Sequence, residues 1–206
     1  MGLLKDAIER AKQVDDPYLE NLHVAGEAIG SDSSLSFYEL HGVELDHCVL
    51  AGANLSKASF YDCTLVGCDL SNALLEEAYI ARTRFVGCKL EGARLGKAFL
   101  RSSRLVDCVC RYANMGEVTL EGSSFAGCDL REAFLNEVRF RKRSRLQDCD
   151  LTRADLFRTS LKGMDLSTCN IAGIAVSDTH GELRGALISR EQAQDLVGML
   201  GVRMVD

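Results

Sequence analysis

Apolar residues recur at every fifth position along most of this chain. From Leu35 to Phe140 each fifth residue is apolar, and after one extra residue the series resumes at Leu146 and runs to Val176. All 29 positions of the series are apolar, and the residue two positions earlier is mostly small. A period of five fits neither the 3.6-residue period of a helix nor the two-residue period of an ordinary strand. It fits a coil that turns a corner every five residues.

The cysteines indicate how many corners complete one coil. They form a column spaced by twenty residues, once the extra residue is counted: Cys48, Cys68, Cys88, Cys108, Cys128, Cys149, Cys169. Twenty residues at five per face give four faces. The sequence therefore predicts an all-β solenoid, a right-handed quadrilateral β-helix with a short helix at each end. Since stacked strands lie about 4.8 Å apart, roughly seven coils make a rod on the order of 35 Å long.

Glycine and proline agree with this prediction. Nine glycines follow the large apolar residue by two positions, where a corner requires positive φ: Gly42, Gly52, Gly67, Gly87, Gly92, Gly122, Gly127, Gly163, Gly173. The single proline, Pro17, precedes the periodic series. Its absence from the series is expected if nearly every amide joins a ladder between coils.

The N-terminal segment predicts a cap on the solenoid. Leu4, Ile8 and Ala11 share one face at helical spacing, and the open end of a solenoid core must be covered. We therefore expect residues 1–32 to form a helical cap and lead-in, and residues 33–176 to form the β-helix.

The C-terminal segment, residues 177–206, predicts a second helix. Ser189 and Gln192 form a capping box, and Gly201 is the expected helix stop. One helix on the end of a rod cannot cover its whole apolar stripe, whereas pairing with a second copy can. The residues expected at this dimer interface are Ile188, Ala193, Leu196, Val197 and Leu200.

Composition and charge exclude several classes of protein. Apolar residues make up 47% and charged residues 26% of the chain, as in a folded domain, and the net charge of −6 disfavours direct nucleic-acid binding. The first residues carry charges where a signal peptide would be apolar, so we expect a cytoplasmic protein with free thiols. The four histidines are scattered and the cysteines lack metal-site spacing. We expect no enzyme activity, no metal and no cofactor.

Outward-facing apolar positions are the candidates for a partner surface. Tyr79 and Phe99 lie twenty residues apart on one face, and Leu74 and Phe134 lie on the adjoining face. A third outward column contains Val66, Val86 and Val106. Contiguous exposed apolar residues mark interfaces, but such columns also pack along a β face, and both interpretations stay open.

A basic run coincides with the extra residue. It contains Arg139, Arg141, Lys142, Arg143 and Arg145. Five cations in seven residues can contact phosphates, although such a run is more often a solvated corner.

The repeated units ANLSK, CDLSN, CDLRE, CDLTR and ADLFR resemble those of the pentapeptide-repeat family. The C-terminal segment further resembles the Qnr, MfpA and AlbG group, at Gly185, Ile188, Gln192, Ala193, Leu196, Leu200 and Gly201. This resemblance implies a non-catalytic, DNA-mimicking homodimer that binds DNA gyrase or topoisomerase IV and confers quinolone or toxin resistance. The alternative is a general protein-interaction scaffold whose partner is unrelated to DNA.

Overall fold

The five-residue period folds as short extended segments joined by corners, and four segments complete each coil of a right-handed parallel β-solenoid. This computed structural model describes residues 3–29, 34–199 and 201–202. Two adjacent faces carry three-residue strands, and the other two carry isolated bridges between coils. The predicted quadrilateral β-helix with a short helix at each end is confirmed.

The strands alternate between two parallel sheets of seven strands each. The odd sheet contains β1 (Tyr18–Glu20), β3 (Glu39–His41), β5 (Ser59–Tyr61), β7 (Tyr79–Ala81), β9 (Phe99–Arg101), β11 (Thr119–Glu121) and β13 (Arg139–Arg141). The even sheet contains β2 (His23–Ala25), β4 (Glu44–Asp46), β6 (Thr64–Val66), β8 (Arg84–Val86), β10 (Arg104–Val106), β12 (Ser124–Ala126) and β14 (Arg145–Gln147). The remaining elements are helix α1 (Leu3–Gln13), a 3-10 turn at Gly181–Leu183 and helix α2 (Arg190–Met199).

The large apolar residues of the series fill the interior of the rod. They stack in direct register, so that Leu100 lies between Ile80 and Leu120 in the odd sheet. The middle residue is buried in every strand except β13, where Phe140 is half-buried. Burying one such side chain contributes about 1.5–3 kcal/mol, so the stacked columns stabilise the fold.

Two of the four corners in each coil are closed by β-turn hydrogen bonds. The Ala53 amide donates to the Leu50 carbonyl at 3.0 Å, and the Ala58 amide donates to the Leu55 carbonyl at 3.1 Å. Both alanines are fully buried. Alanine suits this inward position because its amide is already paired and the packed interior leaves little space.

At the other two corners, side chains replace this bond in the coils that precede the extra residue. Between the odd and even sheets, the Thr83 amide donates to Ser103 Oγ in the next coil at 3.1 Å, and the Ser103 amide donates to Ser123 Oγ at 3.0 Å. The Ser103 hydroxyl in turn donates to the Ile80 carbonyl at 3.0 Å. A buried amide without an acceptor costs about 1–3 kcal/mol, which favours hydroxyl residues here. We call the set of residues at this corner the hydroxyl column, although its first member carries a thiol: Cys63, Thr83, Ser103, Ser123, Ser144.

The cysteine column occupies the second corner of this kind. The Cys68 thiol donates to the Leu45 carbonyl at 3.3 Å, and the Cys68 sulfur accepts the amide of Cys48. All nine cysteines are buried and free, so the seven of the predicted column face inward as free thiols. Burial raises the pKa of Cys63, in the hydroxyl column, to about 11. Thiols are therefore selected here for their size and their weak hydrogen bonds.

Corner residues adopt positive φ, as the glycine positions predict. Gly127 is one of these corners, with a φ of 62° that glycine adopts without steric cost. Lysine, glutamate and arginine occupy the same left-handed conformation at other corners, as at Lys57. Their amides donate to the next coil, and the Lys57 amide bonds the Glu76 carbonyl at 2.8 Å. The ladder between coils thus stabilises a conformation that side chains otherwise disfavour.

The solenoid begins before the periodic series. Strands β1 and β2 lie within residues 1–32, and they pair with β3 and β4. Their core residues Leu19 and Val24 keep the five-residue spacing, as does Ile29, but six residues separate Ile29 from Leu35. Helix α1 covers this first coil with its predicted apolar face.

Candidate interaction surfaces

Five aromatic rings stack along the outside of the odd sheet. This aromatic column contains Tyr18, His41, Tyr61, Tyr79 and Phe99, whose successive ring centroids lie 4.9, 4.5, 5.5 and 5.7 Å apart. Each ring pair contributes about 0.5–1.5 kcal/mol. The rings remain partly exposed, and Tyr18 keeps 39% of its surface accessible.

Short strands place these rings outward on both sides of a buried residue. His41 and Tyr61 follow the buried residue of their strands, whereas Tyr79 and Phe99 precede it. Ala81 lies opposite Tyr61 in the register, so Tyr61 contacts Tyr79 diagonally. The column therefore crosses the sheet while remaining continuous.

The predicted stack of Tyr79 on Phe99 is confirmed, with ring planes 11° apart. The sequence prediction missed Tyr18, His41 and Tyr61 as members of the column. The sequence did contain a signal for these three residues, because both residues that flank a core position in a strand point outward. Tyr61 and Tyr79 flank successive core positions of one face from opposite sides.

The valine column lies on the even sheet. Val66, Val86 and Val106 stand in direct register and are half-buried. They are bordered by the exposed arginines Arg84 and Arg104 at the other outward position of the same strands. This narrow apolar strip is flanked by cations, which limits its apolar area.

Leu74 and Phe134 do not form one patch. Both lie on the same bridge face, but Arg94 and Asn114 separate them in the bridge order. Phe134 is 49% exposed, whereas Leu74 is half-buried. The structure therefore brings together the odd-sheet aromatics and the valines as separate columns, and it leaves Phe134 isolated.

Acidic and basic side chains alternate along the rod. Lys57 Nζ lies 3.7 Å from Glu77 Oε2 one coil away, and the Lys97–Glu117 pair repeats this distance two coils further along. Arg82 binds both carboxylate oxygens of Asp62 at 2.6 Å, which holds the pKa of that carboxyl below its usual range. Such pairs interrupt any acidic stripe along these coils.

Helix α2 closes the C-terminal end. Its predicted capping box is present, with the Ser189 amide donating to Gln192 Oε1 at 2.7 Å and the Gln192 amide to Ser189 Oγ at 3.3 Å. The Gln192 side-chain amide also donates to the carbonyls of Leu166 and Cys169 at 2.7 and 2.5 Å. Gln192 therefore pairs carbonyl groups of the last coil, a role that the sequence prediction did not include.

The predicted dimer residues of this segment are partly covered by the rod itself. Ile188 and Leu196 pack against the core, and Ala193 and Val197 are half-buried. Leu200 lies outside the described residues. The nearby Leu187 is 57% exposed, so apolar surface remains at this end of the rod.

Within the described ranges, no group of three histidine, cysteine or acidic side chains could hold a metal ion. None of the helices described here is long and apolar enough to span a bilayer. Exposed histidines contact single carboxylates, as where His47 Nδ1 lies 2.8 Å from Asp46 Oδ1. Within residues 3–29 and 34–199, no hydrogen bond joins these pairs to a third side chain.

Two family models match most of the solenoid. Residues 38–115 match the family described as Pentapeptide repeat region, and residues 103–141 and 142–171 match Pentapeptide repeats (8 copies). Similar solved structures include full-length QnrB1, a plasmid-mediated fluoroquinolone resistance protein, with 17% identity and a TM-score of 0.45 over 90% of this chain and 100% of that one.

HetL, involved in heterocyst differentiation regulation in Nostoc sp. strain PCC 7120, has 20% identity and a TM-score of 0.39 over 91% of this chain and 97% of its own. A pentapeptide repeat protein from the Arabidopsis thaliana thylakoid lumen has 19% identity and a TM-score of 0.43 over 59% and 71%. No curated protein matches the chain. Because the family matches together span residues 38–171 and each coil consists of four such units, the chain belongs to the pentapeptide-repeat family.

Proposed function

We propose that this protein is a non-catalytic binding rod that holds another protein against its aromatic column. The observation that carries the proposal is the continuous stack of five partly exposed rings on one flat sheet face. Aromatic side chains are enriched at protein interfaces and dominate their binding energy. A rigid scaffold also loses little conformational freedom on binding.

The charges around the column indicate the chemistry of the partner. Glu20 and Glu39 flank the N-terminal rings on β1 and β3, and Glu44 lies on the neighbouring β4. These carboxylates repel phosphates, which supports a protein partner over nucleic acid. The surface suits an apolar patch bordered by basic residues.

Site-specific cross-linking tests this proposal. A photoreactive amino acid at Tyr79 should capture a partner that the same group at Tyr112 does not, because Tyr112 is exposed outside the column. With that partner purified, Tyr61→Ser combined with Phe99→Ser should weaken binding about tenfold or more, as for interface hot spots. Tyr112→Ser should leave the affinity unchanged. Equal capture at both positions, or equal affinity of both variants, would refute the role of the column.

A second candidate is binding of DNA gyrase or topoisomerase IV by a homodimer of rods. The observation in its favour is α2, whose capping box and half-covered apolar residues suit an end-to-end dimer like that of the Qnr group. The alternating charges support the first proposal instead, because a mimic of DNA would present continuous negative charge.

Supercoiling assays separate the two candidates. If the rod engages gyrase, micromolar protein should inhibit supercoiling or reduce cleavage induced by a fluoroquinolone. Val197→Asp should abolish that effect and give folded monomers by light scattering, because a charge at a half-buried interface position opposes pairing. A monomeric wild type at tens of micromolar, or no effect on gyrase and topoisomerase IV, would eliminate this candidate.

A further inference from the structure

The hydrogen-bond ladder between coils opens after the basic run. In the coil before it, the Gly122 amide donates to the Arg141 carbonyl at 3.1 Å and the Arg139 amide to the Val118 carbonyl at 2.9 Å. One coil later, the equivalent amides of Lys142 and Ser160 donate to no backbone carbonyl of the adjacent coil, all residues from 34 to 199 being described. Both sheets end here, at β13 and β14.

The same two coils remain joined on the two bridge faces. The Leu151 amide donates to the Asn170 carbonyl at 2.7 Å, and the Ala175 amide donates to the Ala154 carbonyl at 2.9 Å. Among residues 34–199, backbone hydrogen bonds therefore join these coils along two faces only, and the ends of the other two faces are held by Thr159 and Thr168 hydroxyls that accept the Val138 and Asp148 amides. The result is a cleft with β13 and β14 on one wall and residues from 160 to 168 on the other.

Differences in corner geometry explain the opening. Lys142 and Arg143 are consecutive left-handed residues, and the Ser144 amide closes a turn on the Arg141 carbonyl at 3.2 Å. The facing coil lacks the extra residue, and the amide of Met164, which corresponds to Ser144, closes its corner on the Leu161 carbonyl at 2.9 Å. In the preceding coil the Ser123 amide donates to Ser144 Oγ, whereas Met164 offers no hydroxyl to the Ser144 amide, so this link between the coils is lost.

The cleft is strongly basic. A cavity of about 530 Å³, within the range of ligand sites, lies between the two walls. Its lining includes one carboxylate, Glu137, and six cations: Arg139, Arg141, Lys142, Arg143, Arg158, Lys162. Arg158 pairs with Glu137 at 3.3 Å and Lys142 with Glu121 at 2.7 Å. The other four cations form no ion pair within residues 34–199.

We propose that this cleft binds an extended acidic peptide by strand addition to β13. An edge strand offers unpaired amides and carbonyls to an added strand. Arg139 and Arg141 are two residues apart on β13 and both are exposed, so their spacing of about 7 Å matches acidic residues at alternate positions of a strand. The residue between those acids would point toward the half-buried Phe140. The expected motif is acidic, apolar, acidic.

The cations and the unpaired backbone groups of the cleft together favour an acidic peptide strand over other ligands. A second copy of β13 carries the same cations and would be repelled. A phosphate group would satisfy the cations but leave the backbone groups of β13 without partners. An acidic strand satisfies both sets of groups.

Fluorescence anisotropy with the full chain and a labelled Glu-Val-Glu-Val-Glu peptide tests the proposal. We expect saturable binding that weakens tenfold or more in the double variant Arg139→Gln and Arg141→Gln. The matched control is Arg84→Gln with Arg104→Gln, which removes the same charge from exposed strand positions where the ladder is intact. Circular dichroism verifies that both variants keep the β-helix.

A second set of ligands separates strand addition from charge attraction. An N-methylated peptide of the same sequence keeps its charges but cannot donate backbone hydrogen bonds, and it should bind at least tenfold more weakly. The glutamine version of the peptide should also bind weakly. Equal binding of the methylated peptide, binding of a single-stranded oligonucleotide in place of the peptide, or no saturable binding would overturn the proposal.

Discussion

Replacing Ser103 with alanine removes one link of the hydroxyl column. Ser103 Oγ accepts the Thr83 amide at 3.1 Å and donates to the Ile80 carbonyl at 3.0 Å, and both Thr83 and Ser103 are fully buried. The variant leaves the Thr83 amide without an acceptor in a closed interior. We expect a loss of about 1–3 kcal/mol in the free energy of unfolding.

Two further variants make this prediction specific. Ser124→Ala deletes the same atom from an outward, half-buried position of β12 and should be nearly neutral. Ser103→Cys keeps a weak acceptor, as in the cysteine column, and should cost less than Ser103→Ala. Urea unfolding gives the stabilities, and hydrogen exchange reports the Thr83 amide, whose protection should fall about tenfold to a hundredfold in Ser103→Ala. Equal stability of Ser103→Ala and Ser124→Ala, with unchanged exchange at Thr83, would refute the reasoning.

Three further perturbations probe a buried thiol, the core and the C-terminal cap. Cys63 has a pKa of about 11 in the folded protein, above its usual value of about 8.5, so its stabilising contribution is complete below pH 8.5 and is lost as pH rises toward 11. Urea unfolding between pH 7.5 and 10 should show stability falling with pH, and Cys63→Ser should reduce the slope by up to about 1.4 kcal/mol per pH unit. Leu95→Ala should cost about 2–5 kcal/mol by opening a cavity in the core, whereas the exposed Glu91→Gln should leave the unfolding midpoint unchanged. Gln192→Ala should cost about 1–3 kcal/mol and raise exchange in α2, because two carbonyls of the last coil lose their donor, while the exposed Gln194→Ala should have no such effect.

The sequence predicted the coil and most of the core because inward and outward positions repeat with a fixed period. Leu95 and Ala93 could be assigned to the interior from spacing alone, and both are buried. The first coil was not predicted, because the step from Ile29 to Leu35 is six residues and not five. Once the period is interrupted, spacing no longer assigns a face.

The candidate surfaces depend on relations that no single period contains. Tyr61 reaches Tyr79 diagonally, across two different outward columns, so twenty-residue spacing does not pair them. The extra residue near Arg143 was visible, but its effect on the ladder depends on how the facing coil closes its own corner at Met164. Met164 lacks the hydroxyl that would accept the Ser144 amide, and this consequence is visible only once the two corners are known to face each other.

Around each coil, corners closed by a turn and corners closed by a side chain follow in a fixed order. This order determines which insertions and deletions leave every corner amide with an acceptor. Duplicating twenty residues would return every hydroxyl and thiol to a corner whose amide needs it, and every alanine to a corner already closed by a turn. Duplicating five residues would rotate all later columns by one face, moving Cys88 to a closed corner and leaving the amide it now receives without an acceptor. The sequence repeats every five residues, yet the smallest segment that can be added or removed without leaving a corner amide unpaired is the full coil of twenty residues.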